Sequence, residues 1–381
     1  MIYLDNAATS HPKPEEVYAA MDHCAREVGA NPGRSGHRMA VQAEGEIAAA
    51  RRAVAALLGG RDPLRLIFTL NATDALNMAL KGILRRGDHV VTTLLEHNSV
   101  ARPLARLEQD GIISVTRVTP SDEGVVDPDD IARAMTGATR MVAMAHASNV
   151  LGSVQPIEAI GALVRARERL FLVDAAQSAG VIPIDVERCG IDMLAFAGHK
   201  GMLGPTGTGG LYVGERAPLR PWREGGTGGN SAEPLQPEAM PHFLEAGTPN
   251  TVGIAGLGAA ARHVAQRGVE SLGAHERQLA GRLWEALAGD DRFTLQGPAP
   301  VPGAPRTGVV SLALAGHEPE EIAAILDASF TIAVRAGLHC APGAHRFLGT
   351  FPAGSVRISP GPFNTAQDID AVVAALREIA A

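Results

Sequence analysis

A chain of 381 residues that is 46% hydrophobic is long enough to bury a large core and to divide into two or three units. Its formal charge of -7 is spread along the chain, which excludes a polybasic nucleic-acid surface and an acidic tail. No apolar run approaches the roughly 20 residues that cross a bilayer, and the opening MIYLDNAATSHPKP lacks the basic and apolar regions of a signal peptide, so the expected setting is cytoplasmic, without membrane or nucleic acid.

Taken in chain order, short apolar runs alternate with amphipathic stretches. LRLIFTL (64–70) precedes TDALNMALKGILRRG (73–87), DHVVTTL (88–94) precedes SVARPLARLEQDG (99–111), and TRMVAMAH (139–146) precedes PIEAIGALVRARER (156–169), followed by LFLVDAAQ (170–177) and DMLAFAG (192–198). This alternation predicts an α/β layer with a mostly parallel sheet. Glycine and proline then rise over 215–253, predicting an irregular crossing segment, and a long helical pattern occupies 253–288. The remainder reads as a smaller α+β unit: strand GVVSLALAG, helix PEEIAAILDAS, strand FTIAVR, a loop with Cys340, strand SVRIS and a final helix TAQDIDAVVAALREIA.

Ligands of parallel sheets gather at the carboxyl ends of strands, and several polar residues sit there. Lysine is scarce, at positions 13, 81 and 200 only. Lys13 lies between prolines and Lys81 on a helix, both consistent with solvated side chains. Lys200 follows an apolar strand and precedes Gly201, Gly204, Pro205 and Gly207, so its stem is expected to enter a cavity that backbone also approaches. A desolvated lysine there is competent for Schiff-base chemistry, with a structural lysine as the alternative. Asp174 ends an apolar strand, either as partner to a protonated heteroaromatic nitrogen or as a cap for the next turn. Asn71, Ala72, Thr73 and Asp74 open a helix after a strand, where free N–H groups cradle phosphate or Thr73 simply caps. His97, at another strand end, is either a ring-stacking or a structural histidine. Cys340 lies in AVRAGLHCAPGAHRF, where Arg335 and His339 are placed to stabilise a thiolate. Cys24 and Cys189 read as packing residues, and the three cysteines, far apart and without a CxxC pair, argue against disulfides, zinc or any other metal site. Arg357, within a strand, suits a carboxylate or is a surface arginine.

YLDNAAT, EHNS, SNVLGSVQPI, VDAAQ, GHKGMLGPTGTGGLYV, EAGTPNT, VRAGLHCAP and VRISPGPFNT occur in this order nearly end to end. In them the chain resembles the class V aminotransferases of fold type I, and within that family the group II, Suf-type cysteine desulfurases. The resemblance implies a large domain with a mostly parallel seven-stranded sheet (16–255), a small α+β domain (256–381) and an N-terminal segment (1–15) packing near the active site. It implies pyridoxal 5'-phosphate held covalently by Lys200, with Asp174 at the ring nitrogen, His97 on the ring, Asn149 and Gln177 near the phenolic oxygen, and Ala72, Thr73, His199 and a Thr248 lent by a second subunit around the phosphate. Cys340 is the implied sulfur acceptor and Arg357, with Asn149, the implied substrate anchor. The implied reaction converts L-cysteine to L-alanine in a homodimer, passing sulfur toward an acceptor protein and iron-sulfur cluster assembly; a selenocysteine lyase or a carbon-sulfur β-lyase is the alternative. The family's usual serine two residues before the HK histidine is Ala197 here, and Leu338 replaces the first of two histidines before the cysteine.

Overall fold

The computed structural model describes residues 1–33, 36–228, 232–301 and 303–381. Its strands are β1 (Ile2–Tyr3), β2 (Leu66–Thr69), β3 (Asp88–Thr93), β4 (Ile113–Val118), β5 (Thr139–Ala145), β6 (Leu170–Asp174), β7 (Met193–Ala197), β8 (Gly209–Val213), β9 (Phe293–Gln296), β10 (Val310–Leu314), β11 (Ile332–Ala333), β12 (Arg335–Gly337) and β13 (Ser355–Ile358). The helices are α1 (Glu15–His23), α2 (Arg38–Leu57), α3 (Ala72–Ile83), α4 (Asn98–Gln109), α5 (Pro128–Ala134), α6 (Ile157–Ala166), α7 (Thr251–Arg267), α8 (Val269–Leu287), α9 (Pro319–Phe330), α10 (Pro342–Phe347) and α11 (Ala366–Ile379).

Among the described residues, β2 to β8 form a seven-stranded sheet in the order β2-β8-β7-β6-β5-β3-β4. β8 runs antiparallel to both neighbours and all other adjacent pairs are parallel, so the α/β expectation holds. Strand alternation sends Phe171 and Val173 of β6 into one core with α2, α6 and α7, and Leu170 and Leu172 into another with α3 and α4. Burying each such side chain stabilises by about 1.5–3 kcal/mol, so the central strands form a stiff platform.

Two strands of this sheet lack the apolar run that marks the others. β4 lies at the sheet edge with a mostly exposed burial pattern, and β8 opens on Gly209 and Gly210. A side chain at Gly210 would sit 2.6 Å from the Phe196 ring, so only glycine lets β8 lie against β7.

The long helical pattern at 253–288 is two helices, divided at Gly268 with φ 84°. The boundary expected at 255/256 falls inside α7. Ile254, Leu257 and Ala261 of α7 join the core of the large sheet, while Leu279, Leu283 and Leu287 of α8 join that of the small unit, so we propose Gly268 as the division. In the small unit β12-β13-β10-β9 form an antiparallel sheet covered by α8, α9 and α11. The expected strand FTIAVR is likewise divided. Phe330 ends α9, Thr331 takes a left-handed conformation, β11 pairs in parallel with β1, and β12 pairs with β13. The N-terminal residues thereby close onto the small unit, and an Asp5–Ser359 bridge extends the contact.

Candidate active site

The carboxyl ends of the parallel strands converge with α3, the N-terminal segment and the small sheet around a cavity of about 230 Å³. Ala72, Thr73, His97, Asn149, Asp174, Gln177, His199, Lys200 and Arg357 all line it. Thr248 does not. It lines a separate groove of about 590 Å³ beside Phe68 and Gly207, where Arg51 forks onto Glu245 at 2.7 and 2.9 Å. That groove is the larger, yet the lysine amine and the buried carboxylate belong to the smaller cavity.

Lys200 leaves β7 through Gly198, where a side-chain carbon would lie 2.2 Å from Thr208 Oγ1. The glycines after the lysine serve protein packing rather than a ligand: a side chain at Gly201 would meet the Ala179 carbonyl at 2.7 Å, and one at Gly204 the Gly198 carbonyl at 2.8 Å. Burial pushes the Lys200 amine down to about 8, with Asp174 acting in the opposite direction. The Asp174 carboxyl is pushed up by burial, against the Ala176 N–H that Oδ1 accepts at 2.9 Å and the nearby Lys200 charge. Oδ1 thus caps the turn, and the residue also lines the cavity.

At the opening of α3 the N-cap is Asn71, whose side chain accepts the Asp74 N–H at 2.9 Å. Thr73 is thus not the cap, and its hydroxyl lies 2.7 Å from Ser99 Oγ. His97 caps α4: Nδ1 receives the Ser99 N–H at 3.1 Å, and Ser99 Oγ is 2.9 Å away. A backbone N–H only donates, so Nδ1 is the acceptor and the ring proton resides on Nε2. Burial, then the Lys200 charge, pushes His97 down to about 4, which keeps the ring neutral. His199 is likewise pushed to about 4 by burial, and its Nδ1 is buried without a partner.

Arg357 is 1% exposed. One arm donates to the Asn149 carbonyl at 3.1 Å, another to Asp5 Oδ1 at 2.8 Å, and Nε is unpartnered. Asn149 in turn donates through Nδ2 to the His339 carbonyl at 2.6 Å, and Gln177 donates to the Ala7 carbonyl at 3.0 Å. Asp5 carries no local sequence signal for its part here, because its partner lies 352 positions away.

Cys340 is half-buried, and its sulfur lies 3.6 Å from Arg335 Nη2, a residue that also lines the cavity. His339 and Cys340 both adopt left-handed backbone, with φ 48° and 59°. His339 does not assist the thiol. Its Nε2 donates to the Ser355 carbonyl at 3.1 Å, and burial pushes its basicity far down, so the ring is neutral and committed elsewhere. Cys24 and Cys189 are buried packing residues whose thiols are pushed up by burial.

The sequence model of the aminotransferase class-V family matches residues 2–372. A protein named probable cysteine desulfurase from Methanothermobacter thermautotrophicus is 36% identical, covering 100% of this chain and 94% of the relative. The apo structure of a cysteine desulfurase from Thermococcus onnurineus NA1 superposes with a TM-score of 0.92 at 34% identity, covering 100% of this chain and 94% of that one. The cysteine desulfurase CsdA from Escherichia coli, in an S-sulfonic acid form, gives 0.88 at 30% identity, covering 99% and 94%.

Proposed function

The chain belongs to the class-V aminotransferase family, and from that premise we propose that it is a pyridoxal 5'-phosphate-dependent cysteine desulfurase acting on L-cysteine. The observation that carries this reading is the facing of a low-basicity lysine and a lone buried carboxylate across one cavity whose lining arginine touches a half-buried thiol.

The donor set fits the cofactor. Asp174 offers a carboxylate to a protonated ring nitrogen, the unpartnered His199 Nδ1 and the opening of α3 with Ala72 and Thr73 offer a phosphate cradle, and neutral His97 offers a flat face. When bound, pyridoxal phosphate withdraws electrons from the substrate α-carbon. Lys200, with its basicity lowered toward neutrality, accepts and returns the α-proton. Arg357, with Asn149 fixing one arm, holds the substrate carboxylate. Cys340, as the thiolate beside Arg335, attacks the substrate sulfur. An S–S bond forms as the Cβ–S bond breaks, the carbon fragment takes up a proton and leaves as alanine, and the sulfur remains as a persulfide on Cys340. The same reading makes the enzyme a homodimer whose larger groove receives a second copy, so that Thr248 serves the partner's cavity. The persulfide is then handed to an acceptor protein, with iron-sulfur cluster assembly as the destination and the cytoplasm as the setting. Among the described residues no helix is long and apolar enough to cross a membrane.

Alanine release from L-cysteine and persulfide on Cys340, the latter read by mass spectrometry, test the assignment. Cys340→Ala is expected to lose both, while keeping the visible absorbance that appears when pyridoxal phosphate is added. Wild-type rates of sulfide release from that variant would sink the persulfide mechanism.

A further inference from the structure

Lys13, which the sequence presents as solvated, is half-buried and bonded to the peptide that carries Lys200. Its Nζ donates to the His199 carbonyl at 2.9 Å and to Ser10 Oγ at 2.7 Å. That carbonyl also receives the Ser10 N–H at 2.9 Å, Thr9 Oγ1 at 3.1 Å and Ser10 Oγ at 3.2 Å, while Ser10 Oγ stands 3.1 Å from the Lys200 carbonyl. One peptide oxygen, immediately before the lysine in the cavity, is thus the meeting point of Thr9, Ser10 and Lys13. A carbonyl has two lone pairs, so neutral donors already saturate it, and the ionised donor among them binds hardest. Burial of the Lys13 ammonium, pushed down to about 8, is the cost of placing a cation there.

We propose that Lys13 is a positioning residue for Lys200: with Ser10 it clamps the 199–200 peptide and so fixes where the Lys200 amine enters the cavity. This rests on the reading of Lys200 as the reacting amine. Lys13 adds no group to the cavity lining itself, so its contribution runs through this peptide. An amine displaced by about 1 Å reacts on the order of a hundredfold more slowly.

The scarcity of lysine makes the test direct. In Lys13→Met only Lys81, which is exposed, and Lys200 remain, so acetylation of the full-length chain freed of cofactor, read by peptide mass spectrometry, reports Lys200 against an internal standard. The loosened peptide is expected to raise the Lys200-to-Lys81 labelling ratio about threefold or more. In the cofactor-loaded enzyme kcat is expected to fall about tenfold to a hundredfold with KM within twofold. Lys13→Arg, which keeps the charge, is expected to restore the labelling ratio. A folded Lys13→Met with an unchanged labelling ratio overturns the proposal even if its melting temperature falls, because that pattern is mere structural support. Should Lys13→Met fail to fold, Ser10→Ala removes the hydroxyl shared by Lys13 and the Lys200 carbonyl and is read the same way. A changed ratio in a chain whose wild type releases no alanine upholds the clamp and instead sinks the desulfurase reading.

Discussion

The amine side and the thiol side of the cavity are built on different principles. Lys200 follows β7 and Asp174 ends β6, central strands whose every residue is buried and which are sandwiched between two apolar cores. Cys340 hangs on a loop between β12 and α10, in two successive left-handed residues that each cost on the order of 1–2 kcal/mol. What holds the loop is a set of hydrogen bonds: Asn149 Nδ2 on the His339 carbonyl, His339 Nε2 on the Ser355 carbonyl, and the Asn98 N–H on the Cys340 carbonyl at 2.7 Å. The lesson is that a group whose pKa is shifted by burial is carried by the buried platform, while the half-buried thiol is carried by a loop outside the large sheet.

The two sides should therefore break separately. Lys200→Ala is expected to abolish the visible absorbance on adding pyridoxal phosphate and to lower alanine formation about ten-thousandfold or more, with the alkylation rate of Cys340 changed less than twofold. Arg335→Gln is expected to do the reverse at smaller scale: the Cys340 alkylation rate changes about fivefold on loss of the guanidinium 3.6 Å from the sulfur, while cofactor absorbance is retained. Asn149→Ala releases the His339 carbonyl on the thiol side while keeping the main-chain carbonyl that Arg357 uses. A stability loss of about 1–3 kcal/mol by denaturant unfolding is expected, and an unchanged stability would contradict the anchoring of the loop by this side chain.

A pH-dependent effect is expected at Glu96, buried beneath the amine side. It accepts the Thr93 hydroxyl at 2.6 Å and the Ala145 N–H at 3.0 Å, and burial pushes its carboxyl up to about 8. A group whose folded pKa is raised binds more protons folded than unfolded, so its contribution to stability is complete below the unfolded value near 4.5 and is lost as pH rises to about 8. The melting temperature of Glu96→Gln relative to wild type should accordingly climb between pH 5 and pH 8. A difference that is flat with pH would show Glu96 ionised in the fold.

The parallel strands were legible because burial on both faces demands continuous apolar runs such as LFLVD and MLAFA, and the site was legible because its polar residues interrupt those runs at one end. β4 and β8 left no such signal: one is an exposed edge and the other needs glycine for close packing. The Cys340 loop could be placed by motif, but the direction of the His339 ring could not, since Ser355 takes it from the neighbouring strand β13. Asp5 and Lys13 were silent for the same reason. Their roles depend on residues 352 and 186 positions away, and no local periodicity encodes such pairs.

The parallel pairing of β1 with β11 makes residues 2 and 332 neighbours. During synthesis, which proceeds toward the C-terminus, the segment that holds Lys13 and Asp5 emerges well before its strand partner β11 and before Arg357, which Asp5 binds. The large sheet can form while that segment is still loose, since its strands all lie between residues 66 and 213. The strand pairing of this segment therefore follows the large sheet, whereas the Lys13 contact with the His199 carbonyl needs nothing C-terminal of that sheet.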